Sequence, residues 1–145
     1  MHYDFVITWW YEERIMRNKG VIALGSNVAP KRNIPEAVKR IKDEFYVLRE
    51  SAFVFTKPLG YADQPDFLNG AVLIQTSDDA KSITKRLKRI EQIMGRERTG
   101  LTDGPRKIDL DLVLLHGDIL DEDVYEREFL QHSIREILPD FELEN

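Results

Sequence analysis

The chain has 145 residues, of which 42% are hydrophobic and 32% charged, with a net charge of −5 at pH 7. This length and balance predict one soluble globular domain, and the acidic charge argues against a general nucleic-acid-binding surface. The absence of cysteine excludes disulfides, thiol catalysis and Cys-ligated zinc. Because we see neither a membrane-spanning run nor a signal-peptide pattern, we expect a cytoplasmic protein without a membrane partner.

The first predicted elements are an extension, a strand and a helix. Residues 1–18 are aromatic and then strongly charged, and we treat them as an N-terminal extension of unknown role preceding a single domain over 19–145. The apolar run at 21–24 predicts a buried strand. A helix is expected to start near Asn33, with Asn33 and Glu36 as a capping pair.

The remaining elements complete a recognisable order. Residues 47–55 and 67–76 predict two further strands, and 76–78 predict the cap of a second helix. A strand follows the turn at 103–107, and 129–138 predict a short final helix. The order β, α, β, β, α, β predicts an α+β fold, a ferredoxin-like βαββαβ sandwich with two helices on one face of an antiparallel sheet.

Two acidic residues stand out in the last strand. Asp109 and Asp111 alternate with apolar residues at 108, 110, 112 and 114, so we expect the carboxylates on one face, roughly 6–7 Å apart along the backbone, and the apolar side chains on the other. Such a pair can hold a divalent cation such as Mg²⁺ together with substrate phosphates. For the pair taken alone, a solvated strand face is an equally good explanation.

Arginines surround this acidic strand. Arg96 and Arg98 lie in a glycine-flanked segment just before it, Arg106 follows a Gly-Pro turn, and Arg127 comes after the strand. Guanidinium groups bind phosphate oxygens in a forked geometry, so arginines beside paired carboxylates indicate a metal–polyphosphate site. A single arginine would be an ordinary surface charge.

Four short motifs carry a resemblance to a known family. They are Ala-Leu-Gly-Ser-Asn at 23–27, the segments 56–59 and 63–69, Glu91 with Gly-Arg-x-Arg at 95–98, and Gly-Pro-Arg-x-Ile-Asp-Leu-Asp at 104–111. In this order the chain resembles the 6-hydroxymethyl-7,8-dihydropterin pyrophosphokinases of folate biosynthesis over about residues 20–140. That family has a ferredoxin-like fold, which agrees with the predicted element order.

The resemblance implies an activity and its cofactor. Such enzymes transfer a diphosphate from ATP to the hydroxymethyl oxygen of 6-hydroxymethyl-7,8-dihydropterin and release AMP. By this resemblance Asp109 and Asp111 would hold two Mg²⁺ ions, and Arg96 and Arg98 would act with them in catalysis. The partners would be ATP and the pterin, with no nucleic acid, and we expect a monomer.

The resemblance also implies the binding residues. ATP-binding positions would be Glu91, Arg96, Arg98, Arg106, Ile108 and Arg127. Pterin-binding positions would be Gly25, Thr56, Lys57, Leu59, Phe67, Asn69 and Phe129. Asn69 would read the amide-like edge of the pterin, and Phe67 and Phe129 would stack on its ring. On sequence alone, plain core packing explains both phenylalanines equally well.

The chain departs from the family pattern in ways that predict weaker substrate binding with the chemistry retained. Asp103 replaces a tryptophan common before Gly-Pro-Arg, and the segment 119–126 is short and lacks a Pro-His pair. His116 and His132 do not stand in for the missing histidine and are expected on the surface. Two alternatives stay open: a non-catalytic paralogue that binds pterin or nucleotide, and a pyrophosphokinase with a different acceptor. An RNA-binding domain is disfavoured by the acidic charge.

Overall fold

An antiparallel sheet forms the centre of the fold. The computed structural model describes residues 17–58, 63–95 and 107–143. Within these ranges the strands are β1 Lys19–Ser26, β2 Tyr46–Glu50, β3 Val54–Thr56, β4 Phe67–Gln75, β5 Asp109–Leu115 and β6 Asp118–Ile119. Their order is β2-β4-β1-β5-β6, with β3 also pairing with β4. The predicted α+β ferredoxin-like arrangement is confirmed.

Helices cover both faces of this sheet. They are α1 Pro30–Glu44, α2 Ala80–Ile93, α3 Asp123–Glu126 and α4 Glu128–Ile137. Side chains of α1 and α2, such as Ile41 and Leu87, pack with Ile22 of β1 in a first core. Side chains of α4, such as Ile134, pack with Val21 in a second core on the opposite face. The predicted pair of helices on one face is therefore confirmed, and the final helix lies on the other.

Both predicted helix caps are wrong. The first helix begins at Pro30, not near Asn33, because a proline in the first turn has the helical φ already set. Asn33 is instead a buried helical residue whose Nδ2 donates to the Val28 carbonyl at 2.5 Å. The second helix is capped by Asp79, whose Oδ1 accepts from the Ser82 amide at 2.9 Å.

The predicted strand at 47–55 is interrupted. It forms β2 and β3, both paired with β4 and separated at Ser51. The Ser51 amide donates to the Ala71 carbonyl at 2.9 Å, and the Ser51 hydroxyl accepts from the Ala71 amide at 2.8 Å. The hydroxyl replaces a backbone carbonyl at this point, so the Ala71 amide keeps a hydrogen-bond acceptor where the edge strand is interrupted.

A bulge in β5 changes the face of one predicted core residue. Ile22 pairs with Leu112 while its neighbour Val21 pairs with Leu114, so Val113 is an extra residue on β5. Val113 and Leu114 both belong to the second core, whereas Leu112 belongs to the first. The prediction that Leu114 shares a face with Leu112 is therefore wrong.

Candidate active site

The second face of the sheet changes from apolar to polar along the strands. Residues directly opposite each other on antiparallel strands point to the same face. Three rows of such residues cross β4, β1 and β5, and we name them the core row (Leu73, Val21, Leu114), the middle row (Ala71, Ala23, Asp111) and the site row (Asn69, Gly25, Asp109). The core row lies in the second core beneath α4. The site row lies about 13 Å further along the sheet.

The two aspartates occupy neighbouring rows of this face. Asp109 is half-buried and Asp111 is exposed. They stand opposite Gly25 and Ala23 of β1, and these residues have no side chain beyond Cβ that could cover the carboxylates. The predicted arrangement of the two carboxylates on one face is thus what the strand pairing gives.

These carboxylates fit a hard divalent cation. Their oxygens are the donor type that Mg²⁺ prefers, and such ions commonly take one or two carboxylates and complete their shell with water and substrate phosphates. In the described ranges, no group of three or more His, Cys, Asp or Glu side chains is arranged to hold a metal. Oxygens of a bound substrate and of water are suitable further ligands for a cation at Asp109 and Asp111.

Asn69 and its neighbours form the other half of the site. Asn69 Nδ2 donates to Thr56 Oγ1 at 2.5 Å, and Phe67 pairs directly with Thr56 across the edge of β4. A Cβ added at Gly25 would lie 2.7 Å from Asn69 Oδ1. Gly25 therefore leaves the space that the Asn69 carboxamide occupies, and the carboxamide lies over β1 between Thr56 and the aspartates.

Strand spacing sets the distance between the two halves of the site. Neighbouring strands are about 4.8 Å apart, so the backbones of Asn69 on β4 and Asp109 on β5 lie about 10 Å apart across β1. This separation leaves room for a small flat heterocycle at Asn69 whose substituent reaches toward a phosphate chain at Asp109.

Two predicted ATP-site residues face away from the polar rows. Glu91 of α2 is buried, and its Oε2 accepts from the Leu110 amide of β5 at 3.0 Å. Ile108 is completely buried in the first core. Any contact between Ile108 and a nucleotide therefore falls to its backbone.

A buried polar network joins the loops around the site, and sequence reasoning gave its members no role. Asn27 Nδ2 donates to Gln64 Oε1 at 2.7 Å and lies 3.2 Å from the Pro65 carbonyl. Ser26 Oγ lies 2.5 Å from the Lys107 carbonyl. The turn after β1 is thereby connected both to the segment before β4 and to the start of β5. In the sequence, the only local indication of this network is that two polar residues, Ser26 and Asn27, follow the apolar run of β1.

Other predicted residues lie at the margins or beyond. Arg127 precedes α4, and its Nε lies 3.3 Å from Asp123 Oδ1. Phe129 is half-buried against the second core, and Lys57 is exposed just after β3. The following lie outside the described residues: Leu59, Arg96, Arg98, Asp103 and Arg106.

Two histidines and one cavity lie apart from the site. His116 and His132 are exposed, as predicted. A cavity of about 390 Å³ lies between the end of α4 and the other end of the sheet, where Lys19, Leu73 and Phe141 contribute to its wall. None of its lining residues is a predicted site residue, so the candidate site is defined by strand register and not by this cavity.

The fold and the candidate site together indicate the class of protein. The chain is a ferredoxin-like α+β domain with two carboxylates and a carboxamide on one face of the sheet. Comparison with family models matches residues 21–139 to the 7,8-dihydro-6-hydroxymethylpterin-pyrophosphokinase family. The chain belongs to this family, and the resemblance noted in its motifs is confirmed.

Named relatives agree with this assignment. The chain is 34% identical to the 2-amino-4-hydroxy-6-hydroxymethyldihydropteridine pyrophosphokinase of Haemophilus influenzae, covering 86% of this chain and 84% of the relative. Identity to the Bacillus subtilis protein of the same name is 33%, over 89% and 83% of the two chains. Identity to a folate synthesis bifunctional protein of Arabidopsis thaliana is 38% over 86% of this chain. The chain spans 28% of the length of that bifunctional protein.

Proposed function

We propose that this chain transfers a diphosphate group from ATP to 6-hydroxymethyl-7,8-dihydropterin in folate biosynthesis. The observation that carries the proposal is the site row, which brings Asn69, Gly25 and Asp109 side by side on one sheet face. A pterin at Asn69 and a phosphate chain at Asp109 would be neighbours across a single strand. Family membership and the names of the relatives support the same reaction.

The pterin half of the site supplies shape and hydrogen bonds. The Asn69 carboxamide can both donate and accept, which suits the amide-like edge of a pterin. In the proposal Gly25, Thr56, Lys57 and Leu59 line this pocket, and Phe67 and Phe129 provide aromatic faces for the ring. The hydroxymethyl group is thereby directed toward β5.

The phosphate half supplies charge. In the proposal Asp109 and Asp111 hold two Mg²⁺ ions. When bound, such ions neutralise phosphate charge and orient the attacking and leaving oxygens. Arg96 and Arg98 act with the two aspartates in catalysis, and the nucleotide contacts are assigned to Arg96, Arg98, Arg106, Arg127 and the backbone of Ile108. Glu91, which the family resemblance also implies for ATP binding, faces away from the polar rows and is bonded to the Leu110 amide.

The reaction is a single substitution at phosphorus. The hydroxymethyl oxygen forms a bond to the β-phosphorus of ATP, and the bond from that phosphorus to the α,β-bridging oxygen breaks. AMP leaves with the bridging oxygen, and the proton of the hydroxymethyl group is released. Phosphoryl transfer of this type depends mainly on positioning and on positive charge around the phosphates, so the residues above meet its main requirements.

The organisation of the chain is part of the same proposal. We assign a single catalytic domain to 19–145 and leave 1–18 as an extension, in agreement with a family match that begins at residue 21. A cytoplasmic location is proposed because the chain contains no cysteine, and we propose that the chain acts as a monomer. Among the described residues, no helix combines the length and the apolar character needed to cross a membrane.

Release of AMP tests the proposed reaction. Purified chain would be incubated with ATP and Mg²⁺, with and without 6-hydroxymethyl-7,8-dihydropterin. We expect AMP and the pterin diphosphate in equal amounts, and only when the pterin is present. Asp111→Asn should lower AMP formation by about 100-fold or more, whereas Asp118→Asn, which changes an exposed carboxylate of β6, should leave it unchanged. Binding of pterin or nucleotide without AMP formation would instead establish the binding paralogue, and AMP formation with another alcohol alone would establish a different acceptor.

A further inference from the structure

Part of the outer edge of β5 has no partner strand among the described residues. β1 pairs with β5 along one edge, from Asp109 to Leu115, and β6 pairs only with Leu114 and Leu115 on the other. Successive residues of a strand direct their backbone groups to alternate edges. Since the Leu110 amide donates to Glu91, the backbone groups of Leu110 point to the outer edge, and those of Asp109 and Asp111 point toward β1.

Glu91 occupies the gap at this edge. Its Oε2 accepts from the Leu110 amide at 3.0 Å, at the one residue between the two aspartates. The Glu91 side chain is buried, and the neighbouring residue Ile90 is fixed in the first core. The carboxylate is therefore held by a helix whose position is set by apolar packing, and it takes the place that a carbonyl of another strand would have.

We propose that Glu91 is a positioning residue that fixes the direction of Asp109 and Asp111 through the Leu110 amide. This inference rests on the proposed function, in which the two aspartates hold metal. A hydrogen bond is electrostatically stronger in a buried environment of low dielectric constant than in water. Without this bond, the Leu110 amide would lose its hydrogen-bond acceptor. The backbone that carries Asp109 and Asp111 would then be less ordered.

The role differs from the nucleotide contact that the family resemblance assigns to Glu91. A direct contact would matter for nucleotide binding whether or not metal is present. A positioning role would matter only for the metal-dependent part of binding. It should also be preserved by glutamine, whose Oε1 can accept the same amide hydrogen without a charge.

The test compares Glu91→Gln and Glu91→Ala with Gln92→Ala, an exposed residue of the same helix. Four quantities are measured for the full chain: the affinity for Mn²⁺ with α,β-methylene-ATP, the affinity for this nucleotide without metal, the affinity for the pterin, and the Tm. For Glu91→Ala we expect about 10- to 100-fold weaker Mn²⁺ binding, as found when groups that orient metal ligands are removed. Glu91→Gln should lie within about threefold of the wild type, and Gln92→Ala should match it. Metal-free nucleotide and pterin binding should stay unchanged in all three variants.

Three results would overturn the positioning role and leave the proposed reaction standing. Equal loss in Glu91→Gln and Glu91→Ala would mean that the charge matters and not the accepted hydrogen bond. Equal loss of nucleotide affinity with and without metal would mean a direct nucleotide contact. A joint fall of Mn²⁺ affinity, pterin affinity and Tm would mean general destabilisation. Failure of the wild-type chain to bind Mn²⁺ with the nucleotide would overturn the proposed metal site itself, and the role of Glu91 with it.

Discussion

Replacing Gly25 by alanine should weaken pterin binding without unfolding the chain. The new Cβ would stand 2.7 Å from Asn69 Oδ1, closer than a carbon and an oxygen approach without a hydrogen bond. The Asn69 carboxamide must then rotate, and its bond to Thr56 Oγ1, now 2.5 Å, is stretched or broken. The backbone itself is undisturbed, because Gly25 lies within β1 and alanine adopts an extended conformation readily.

The expected loss can be estimated from two contributions. The Asn69 carboxamide is proposed to donate one hydrogen bond to the pterin and to accept another, and its displacement removes both; each neutral hydrogen bond contributes about 0.5–1.5 kcal/mol net. Taken together, about 2 kcal/mol corresponds to a roughly 30-fold increase in the Kd for the pterin. Because the displaced group is a side chain at the border of the site, we expect the Tm to change little.

Calorimetric titration with the pterin, together with thermal melting, measures both effects. Gly20→Ala is the matched control, since it adds a Cβ to the same strand, 3.3 Å from the Leu114 carbonyl oxygen and about 17 Å from Gly25 along the strand. The control should leave the pterin Kd unchanged. A wild-type Kd in Gly25→Ala, or an equal loss in both variants, would refute the placement of the pterin at Asn69.

Three further substitutions test other parts of the structure. Asp111→Asn should lower the rate of AMP formation by about 100-fold or more, because loss of one electrostatic contact to a transition state typically lowers kcat by that factor. A steady-state assay measures the rate, and a pterin titration should give an unchanged Kd. Normal turnover would contradict the metal assignment. Gly70→Ala places a Cβ 2.4 Å from the Phe53 ring. Because this overpacks the contact, the free energy of unfolding measured in urea should fall by about 1–3 kcal/mol. An unchanged urea midpoint would show that the Phe53 ring can move aside. Asp79→Ala removes the helix-cap hydrogen bond to the Ser82 amide and should lower the free energy of unfolding by about 1 kcal/mol. We expect a lower Tm and an unaltered kcat. A lower kcat at a temperature where the variant is fully folded would contradict a purely structural role.

Local sequence patterns predicted the elements and their order better than their ends. Ile83, Leu87 and Ile90 recur at the spacing typical of one face of a helix, and all three are buried in the first core. The start of α1 was wrong because proline geometry at Pro30 outweighed the capping pattern at Asn33. The interruption at Ser51 depends on a contact with Ala71, 20 residues away, and no local pattern contains it.

The site was predictable where strand alternation or a motif applied. Alternation put Asp109 and Asp111 on one face, and register then placed Gly25 and Asn69 beside them. The face of Leu114 was not predictable, because one extra residue in β5 reverses the alternation and the sequence does not mark the bulge. The bond from Leu110 to Glu91 was also hidden, since it joins a helix to the backbone of a strand.

The register that builds the core also builds the site. Along the second face of β1 the side chains shrink from Val21 to Ala23 to Gly25, and the neighbouring strands change from apolar to polar in the same direction. The apolar end lies under α4, and burial of the core row favours one pairing of β4, β1 and β5. A slip of one residue in β5 would turn both Asp109 and Asp111 into the first core, where unpaired carboxylates are strongly disfavoured. The packing of α4 therefore stabilises the position of a site about 13 Å away, and substitutions in the core row should reduce activity through register as well as through stability.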